Sequence, residues 1–271
     1  GHTMGIGAAI AAKFLQARFG DWMNHKIYGF ISDGGIQEEI SQGAGRIAGH
    51  LGLSNFIMFF DSNDIQLSTS TDEVTTEDTG MKYKAWGWKV VTIDGHDHEE
   101  IRRALADANN ETEKPTLIIG KTIMGKGCVT AEDKMFEGEC ELHGQPIGNT
   151  GADYTKTLLN LGANTESPFD IFDDVGAFYN NLLKEKTAKA AEKKTEINAW
   201  RQENKALSDK LDFFLSGKLP ELDFESIAHK DGLATRAASS GVLGYLAENV
   251  ENMIVSSADL SNSDKTDSFL K

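Results

Sequence analysis

Two residues with hard oxygen donors, Asp33 and Asn63, stand close behind two short apolar runs at 27–31 and 56–60. A carboxylate and an amide oxygen suit a cation such as Mg²⁺, which keeps further positions for a backbone carbonyl, water and phosphate oxygens. Gly34 and Gly35 follow the aspartate, and without Cβ atoms their N–H groups can approach an anion at the start of a helix. Together these residues could hold a diphosphate through a divalent cation. Spacing alone equally fits an ordinary strand-to-helix turn at Asp-Gly-Gly and another turn at Ser-Asn-Asp, with the polar side chains acting as caps.

Positioning the two side chains requires a particular arrangement of elements. Ile27, Tyr28, Gly29, Phe30 and Ile31, and then Phe56, Ile57, Met58, Phe59 and Phe60, read as buried parallel strands. Between them Ile40, Ala44, Ile47, Ala48 and Leu51 recur at helical spacing, and Gly52 is a plausible stop. A right-handed crossover then brings Asp33 and Asn63 to the C-terminal edge of one sheet, where open α/β sheets bind ligands. Residues 66–79 are polar and threonine-rich, as expected of a surface loop beside that edge. A third strand at 89–93, a helix at 99–108 with Ile101, Leu105 and Ala108 inward, and a fourth strand at 116–119 complete an α/β pattern. The expected fold is a doubly wound parallel sheet.

The flanking segments add less chemistry. Residues 1–19 predict a small-residue helix with Ala8, Ile10, Ala11, Phe14 and Leu15 on its apolar positions. Its Gly5-Ile6-Gly7 follows no strand and lacks a third glycine, so close helix packing explains it better than a dinucleotide fingerprint. Residues 125–144 read as a loop; Gly125-Lys126-Gly127 has neither the spacing nor the Lys-Ser/Thr pair of a Walker loop. His143 lies in this loop, where a lone histidine is ordinarily a hydrogen-bonding surface residue. Cys128, Cys140 and His143 are too few for a structural zinc site without a second Cys-x-x-Cys, and two cysteines make no disulfide framework. From 150 to 229 the chain is charged and helix-prone, and Leu182, Leu183, Ala188, Ala191, Ile197 and Trp200 form a thin stripe on what reads as a solvated linker helix. Beyond 230 come a helix carrying Val242, Leu243 and Leu246, then Met-Ile-Val-Ser-Ser-Ala-Asp-Leu-Ser, read as a strand ending at a polar turn.

Composition narrows the class. A chain of 271 residues with 39% hydrophobic content and 27 glycines has room for about two domains with cores and many tight turns. No apolar run approaches the ~20 residues of a membrane span, and no basic-then-apolar leader is present, so a cytoplasmic location is the default expectation. A net charge of −15 argues against nucleic-acid and membrane partners, which need clustered Lys and Arg. A phosphorylated metabolite remains open, because a cation and oriented N–H groups make a site locally positive.

The segment SDGGIQEEISQGAGRIAGHLGLSNFIMFFDSNDIQLST closely resembles the thiamine-diphosphate signature of transketolases. The likeness continues through YKAWGWKVVTIDGHD, KPTLIIGKTIMGKG, ELHGQPIG, LATRAASS and SSADLSNS, in the family's order. It implies thiamine diphosphate anchored by Mg²⁺, or by Ca²⁺ or Mn²⁺ in its place. Asp33, Asn63 and the carbonyl of Ile65 would be the metal ligands, and Gly34 a diphosphate contact. Glu38 matches the glutamate that couples two sites across the family's homodimer, and His143 the histidine reaching cofactor diphosphate and substrate oxygen. Arg236 and Ser263 match residues holding the sugar phosphate, chemistry apt for a guanidinium and a hydroxyl. Asp259 and Leu260 match the segment packed near the cofactor from the partner subunit.

Two departures stand out: Ser32 replaces the first glycine of the signature, and Gly43 sits where a second acidic residue is common, which weakens any proton-relay role for Glu38. The implied organisation is a diphosphate- and Mg²⁺-binding domain at 1–150 lacking its N-terminal part, a helical linker at 151–229, and the start of a pyrimidine-binding domain at 230–271. The glutamate that activates the cofactor and the aromatic that stacks on it have no counterpart here, so this segment alone is expected to be inactive. The implied parent reaction is two-carbon ketol transfer from a ketose phosphate to an aldose phosphate in the pentose phosphate pathway. Alternatives are another enzyme of the same cofactor class, dihydroxyacetone synthase or phosphoketolase, or a non-catalytic scaffold that keeps the pocket.

Overall fold

The computed structural model describes residues 1–270, which divide into two compact units, Gly1–Lys189 and Ala190–Lys271. The first unit opens with α1 (His2–Phe19), followed by β1 (Ile27–Ser32), α2 (Asp33–Gln37), α3 (Glu39–His50) and β2 (Phe56–Ser62). It continues through α4 (Thr79–Ala85), β3 (Lys89–Asp94), α5 (His98–Asn109), β4 (Thr116–Lys121), α6 (Tyr154–Asn160) and the beginning of α7 (Asp173–Glu203). The four strands are parallel in the order β1-β2-β4-β3. The connection from β3 to β4 runs back toward the centre, opposite to the two before it, and a right-handed crossover then needs its helix on the other face. That is the observed layering. Helices α1, α3 and α4 pack with Phe56, Met58, Phe60, Leu117 and Ile119 on one face, and α5 packs with Ile57, Ile93 and Ile118 on the other.

Central strands are buried on both faces, as the continuous apolar runs of β2 and β4 require. β1 differs from expectation. It is an edge strand, with Ile31 buried but Phe30 82% exposed, because on that face α5 reaches β1 only at Tyr28, whose hydroxyl donates to Asn109, and among the described residues no other helix covers it.

Three further corrections come from packing. The helix expected between the first two strands is broken at Glu38, whose ψ of 129° leaves the helical region, giving α2 and α3. On α3 the buried positions are Ser41, Ala44, Gly45 and Ala48, whereas Ile40, Ile47 and Leu51 face outward. Small residues win the inner face because α3 lies close to Trp86 and Trp88: a Cβ at Gly49 would fall 1.9 Å from the carbonyl oxygen of Trp86. On α1 the inner face is likewise Ile6, Ala9 and Ala12, with Ala8 and Ala11 exposed. Gly5 lies on the Phe56 ring, where a Cβ would come within 2.8 Å, so the close-packing expectation for this helix holds.

At the opposite end of the sheet from the candidate site, Lys26 ties three elements together. Its Nζ donates to the carbonyls of Ser54 at 2.8 Å, Glu111 at 2.7 Å and Ala108 at 3.3 Å, satisfying acceptors near the C-terminus of α5 that the helix leaves open.

The second unit holds the end of α7, then α8 (Lys205–Leu215), α9 (Thr235–Asn249), α10 (Ser261–Asp264) and α11 (Asp267–Leu270). Across all 31 residues of α7 none is buried, as expected for a solvated helix. The strand expected from Met253 is absent: residues 253–257 carry no regular structure. A strand exists only through its ladder, and no partner strand lies among the described residues of this unit.

Candidate functional site

The parallel register of β1 and β2, Ser32 opposite Asp61, brings the two chain exits side by side at the C-terminal edge. Asp33 is the first residue of α2, and Ser32 caps that helix by accepting from the Gly35 N–H at 3.4 Å. The serine therefore has a structural task at the place where the family signature has glycine. Asp33 is only 4% exposed, and its Oδ2 accepts the backbone N–H of Asn63 at 3.0 Å. Asn63 Oδ1 in turn accepts the N–H of Ile65 at 3.0 Å. Ile65 bridges Ser70, and the Gln66 N–H donates to Thr69 at 2.8 Å, so the loop turns back sharply just past the site. The sequence expectation that Asp33 and Asn63 converge is met.

Burial pushes the Asp33 carboxyl above its ordinary range, and the nearby Asp64 charge adds to this; the Asn63 and Asp64 N–H groups and the Lys121 ammonium oppose it. Among the described residues no Lys, Arg or His side chain forms an ion pair with Asp33, although a buried carboxylate is costly unless paired or metal-bound. The ligand set expected from the sequence is a carboxylate, an amide oxygen and a main-chain carbonyl, with no thiol or imidazole. This set fits Mg²⁺ or Ca²⁺ and suits zinc poorly. Among the described residues no three His, Cys, Asp or Glu side chains cluster as a metal site, so Cys128, Cys140 and His143 do not assemble one.

The remaining expected residues fall into two groups. In the first unit a Cβ on Gly34 would meet nothing within 4 Å, which leaves its backbone open to a ligand. Glu38 is exposed and borders a cavity of about 330 Å³ with His2, Ser32, Gly35 and Ser41. His143 ends the short turn Cys140–Leu142, and its Nδ1 is buried with no hydrogen-bond partner. The adjacent Gly144 lies against Leu67, so the 124–150 segment returns to the loop that follows Asn63. In the second unit Arg236 lies in the first turn of α9, Asp259 precedes α10, Leu260 caps it and Ser263 is within it, and all four are exposed.

Sequence reasoning missed three residues. Lys121, at the end of β4, stands opposite Ser62 in the sheet register. Its Nζ donates to Ser62 Oγ at 2.9 Å and to both carboxylate oxygens of Asp64 at 2.9 and 3.1 Å. Asp64 itself has a left-handed backbone, φ 63°. No motif announces these contacts, since they depend on a register that pairs residues 59 apart in the chain; Lys after an apolar run was the only local cue.

A parallel sheet whose β1 and β2 exits bring a buried carboxylate and an amide side chain to its C-terminal edge defines an α/β domain of the kind that binds its ligand at that edge. Residues 1–220 match the family model described as transketolase, thiamine diphosphate binding domain, and the chain belongs to that family. It is 32% identical to a transketolase from Geobacillus stearothermophilus and 31% identical to one from Streptococcus pyogenes, with 98% of the chain aligned in each case. It covers 40% and 36% of those proteins, so the chain spans well under half the length of these relatives. Among solved structures, transketolase from Leishmania mexicana superimposes with a TM-score of 0.88 at 28% identity, covering 98% of this chain and 40% of that one. Transketolase from Pichia stipitis in complex with sedoheptulose 7-phosphate gives 0.84 at 30% identity, covering 97% and 39%.

Proposed function

We propose that this chain is the cofactor-anchoring part of a transketolase, which moves a two-carbon ketol unit from a ketose phosphate to an aldose phosphate in the cytoplasmic pentose phosphate pathway. The observation that carries this reading is the buried Asp33 carboxylate, tied to the Asn63 backbone and without an ion-pair partner among the described residues, in a chain of the transketolase family. Asp33, Asn63 Oδ1 and the Ile65 carbonyl would hold Mg²⁺, with Ca²⁺ or Mn²⁺ as substitutes, and through it the diphosphate of thiamine diphosphate. Gly34 offers its backbone to the same diphosphate. When bound, thiamine diphosphate supplies the carbanion that breaks and forms the carbon–carbon bond.

The protein's part is to bind and orient. His143 is the polar contact to cofactor diphosphate and donor oxygen, a role that would satisfy its unpaired nitrogen. Arg236 and Ser263 clamp the sugar phosphate, and the sugar phosphate in the Pichia stipitis complex supports that class of substrate. The complete enzyme works as a homodimer, with Glu38 at the contact that couples two sites and Asp259-Leu260 packing near the cofactor of the other subunit. Residues 1–150 form the diphosphate and metal domain, 151–229 a helical linker, and 230–271 the start of the pyrimidine-binding domain.

Calorimetric titration of the complete enzyme with thiamine diphosphate and Mg²⁺ tests the reading. Asp33→Ala removes a direct ligand, so cofactor affinity falls by more than the ~10–100-fold typical of losing an outer-shell partner. Unchanged affinity would remove Asp33 from the site and the reading with it.

A further inference from the structure

We propose that Lys121 and Asp64 form a clamp that positions Asn63 and the Ile65 carbonyl for the divalent cation. Nζ of Lys121 is fastened on both sides of Asn63: to the hydroxyl of Ser62, which is buried, and to the carboxylate of Asp64. Its main chain is fixed by the register that sets it opposite Ser62. The segment it grips is conformationally demanding, because Asp64 adopts φ 63°, a region that non-glycine residues enter at a cost. Its contacts hold it there: the ion pair with Lys121, the Asp64 carbonyl accepting the Thr71 N–H at 3.0 Å, and the Asp64 N–H directed at the Asp33 carboxylate. That left-handed residue separates the side-chain ligand at 63 from the carbonyl ligand at 65, so it sets their relative aim. The Asn63 N–H is also the donor to Asp33, so a shift of residues 62–64 moves every expected ligand together. Asp33, Ser62, Asp64 and Lys121 line one cavity of about 410 Å³ at the sheet edge.

The Lys121 and Asp64 side chains are 51% and 63% exposed. Pairs that open to solvent contribute little to global stability, so the clamp acts locally, on geometry. This inference rests on the cofactor-anchoring reading, and the test separates the two.

In the complete enzyme, Mg²⁺ affinity is measured by calorimetry in the presence of saturating thiamine diphosphate, alongside the melting temperature of the metal-free protein. Lys121→Met is expected to weaken Mg²⁺ binding at least ~10-fold while the melting temperature moves by no more than about 2 °C, the range of a minor surface change. Asp64→Gly can still adopt the left-handed turn and deletes the pair, so it shows the same loss. The double variant is no weaker than either single, as expected when two residues act as one unit. Lys121→Arg, which keeps the charge and can still reach the carboxylate, restores most of the affinity. Lys121→Met within about twofold of the unmodified enzyme, or single losses that simply add, would overturn the clamp. Asp33→Ala is the control: if it abolishes Mg²⁺ binding while Lys121→Met does not, only the clamp fails, whereas normal binding by Asp33→Ala sinks the underlying reading.

Discussion

The two units differ in what holds their residues in place. In Gly1–Lys189 a four-stranded sheet lies between helices, and Asp33 and Asn63 directly follow strands whose positions are dictated by register and buried side chains. In Ala190–Lys271 the buried residues among those described are Ser208, Leu211 and Val250, and the expected phosphate-binding residues are exposed on helix ends. The first unit specifies its site by packing; the second presents residues whose geometry its own core does not fix. Substitutions of matched chemistry in the two units make this contrast measurable.

The largest effect falls on Gly49. A methyl group there would collide with the Trp86 carbonyl at 1.9 Å, and that backbone is held by Trp88, whose indole N–H donates to the Gly45 carbonyl at 2.8 Å. Neither side can retreat without opening the core. Gly49→Ala is therefore expected to destabilise the first unit by about 3 kcal/mol or more, at the upper end of overpacking costs, read as a fall in denaturation midpoint. A loss below about 1 kcal/mol would mean that α3 can move away from the Trp86 turn, and that the packing contrast is overstated.

Leu211 tests the other side. It is 1% exposed and is the one large aliphatic side chain fully buried in the second unit among the described residues. Leu211→Ala is expected to cost about 2–3 kcal/mol, toward the low end for such truncations, because a thin core collapses around the gap more readily. If the loss reached about 5 kcal/mol, this unit would have a tighter core than its exposure suggests.

How far all this was readable from sequence follows the same division. Strand positions, the crossover and the convergence of Asp33 with Asn63 were legible because apolar runs bounded by turn residues carry local information. Which face of α1 and α3 turns inward was not, since Ile40 and Ala44 compete for the same side, and the answer depends on how near Trp86 lies. The Asp64–Lys121 pair was invisible for a similar reason: register between β2 and β4 is a tertiary property. The strand expected from Met253 but absent shows the reverse error. Its residues have strand propensity, but propensity without a neighbouring ladder makes no strand.

A smaller effect is expected at acid pH from His2, in the first unit. Burial depresses its imidazole from 6.5 to about 4, and the ring stacks on Phe56 with centroids 6.0 Å apart. The folded state thus keeps His2 neutral where the unfolded chain would protonate it. Stability is complete above pH 6.5 and is lost as pH falls from there toward 4. Allowing for the partial exposure of the ring, the loss attributable to His2 is about 1–2 kcal/mol. His2→Phe keeps the stacking and removes the titration, so the stability difference between pH 7.5 and pH 5 should shrink relative to the unmodified protein. Equal pH slopes for the two would place the imidazole in contact with water.

Gly244 supplies the smallest effect and the opposite sign to Gly49. It lies inside α9, where the nearest atom to an added Cβ is the Ser268 carbonyl oxygen at 3.9 Å, an ordinary contact. The methyl group meets no clash, and alanine restricts the unfolded chain while favouring the helix. Gly244→Ala is expected to stabilise by about 0.5–1 kcal/mol, seen as a higher denaturation midpoint of the second unit. The two substitutions are chemically identical and both fall within helices, so propensity alone predicts the same gain for each. Opposite signs would show that packing overrides propensity in the first unit and leaves it in control in the second, whereas a loss at Gly244 would reveal a close neighbour of α9 and bring the two units nearer in kind.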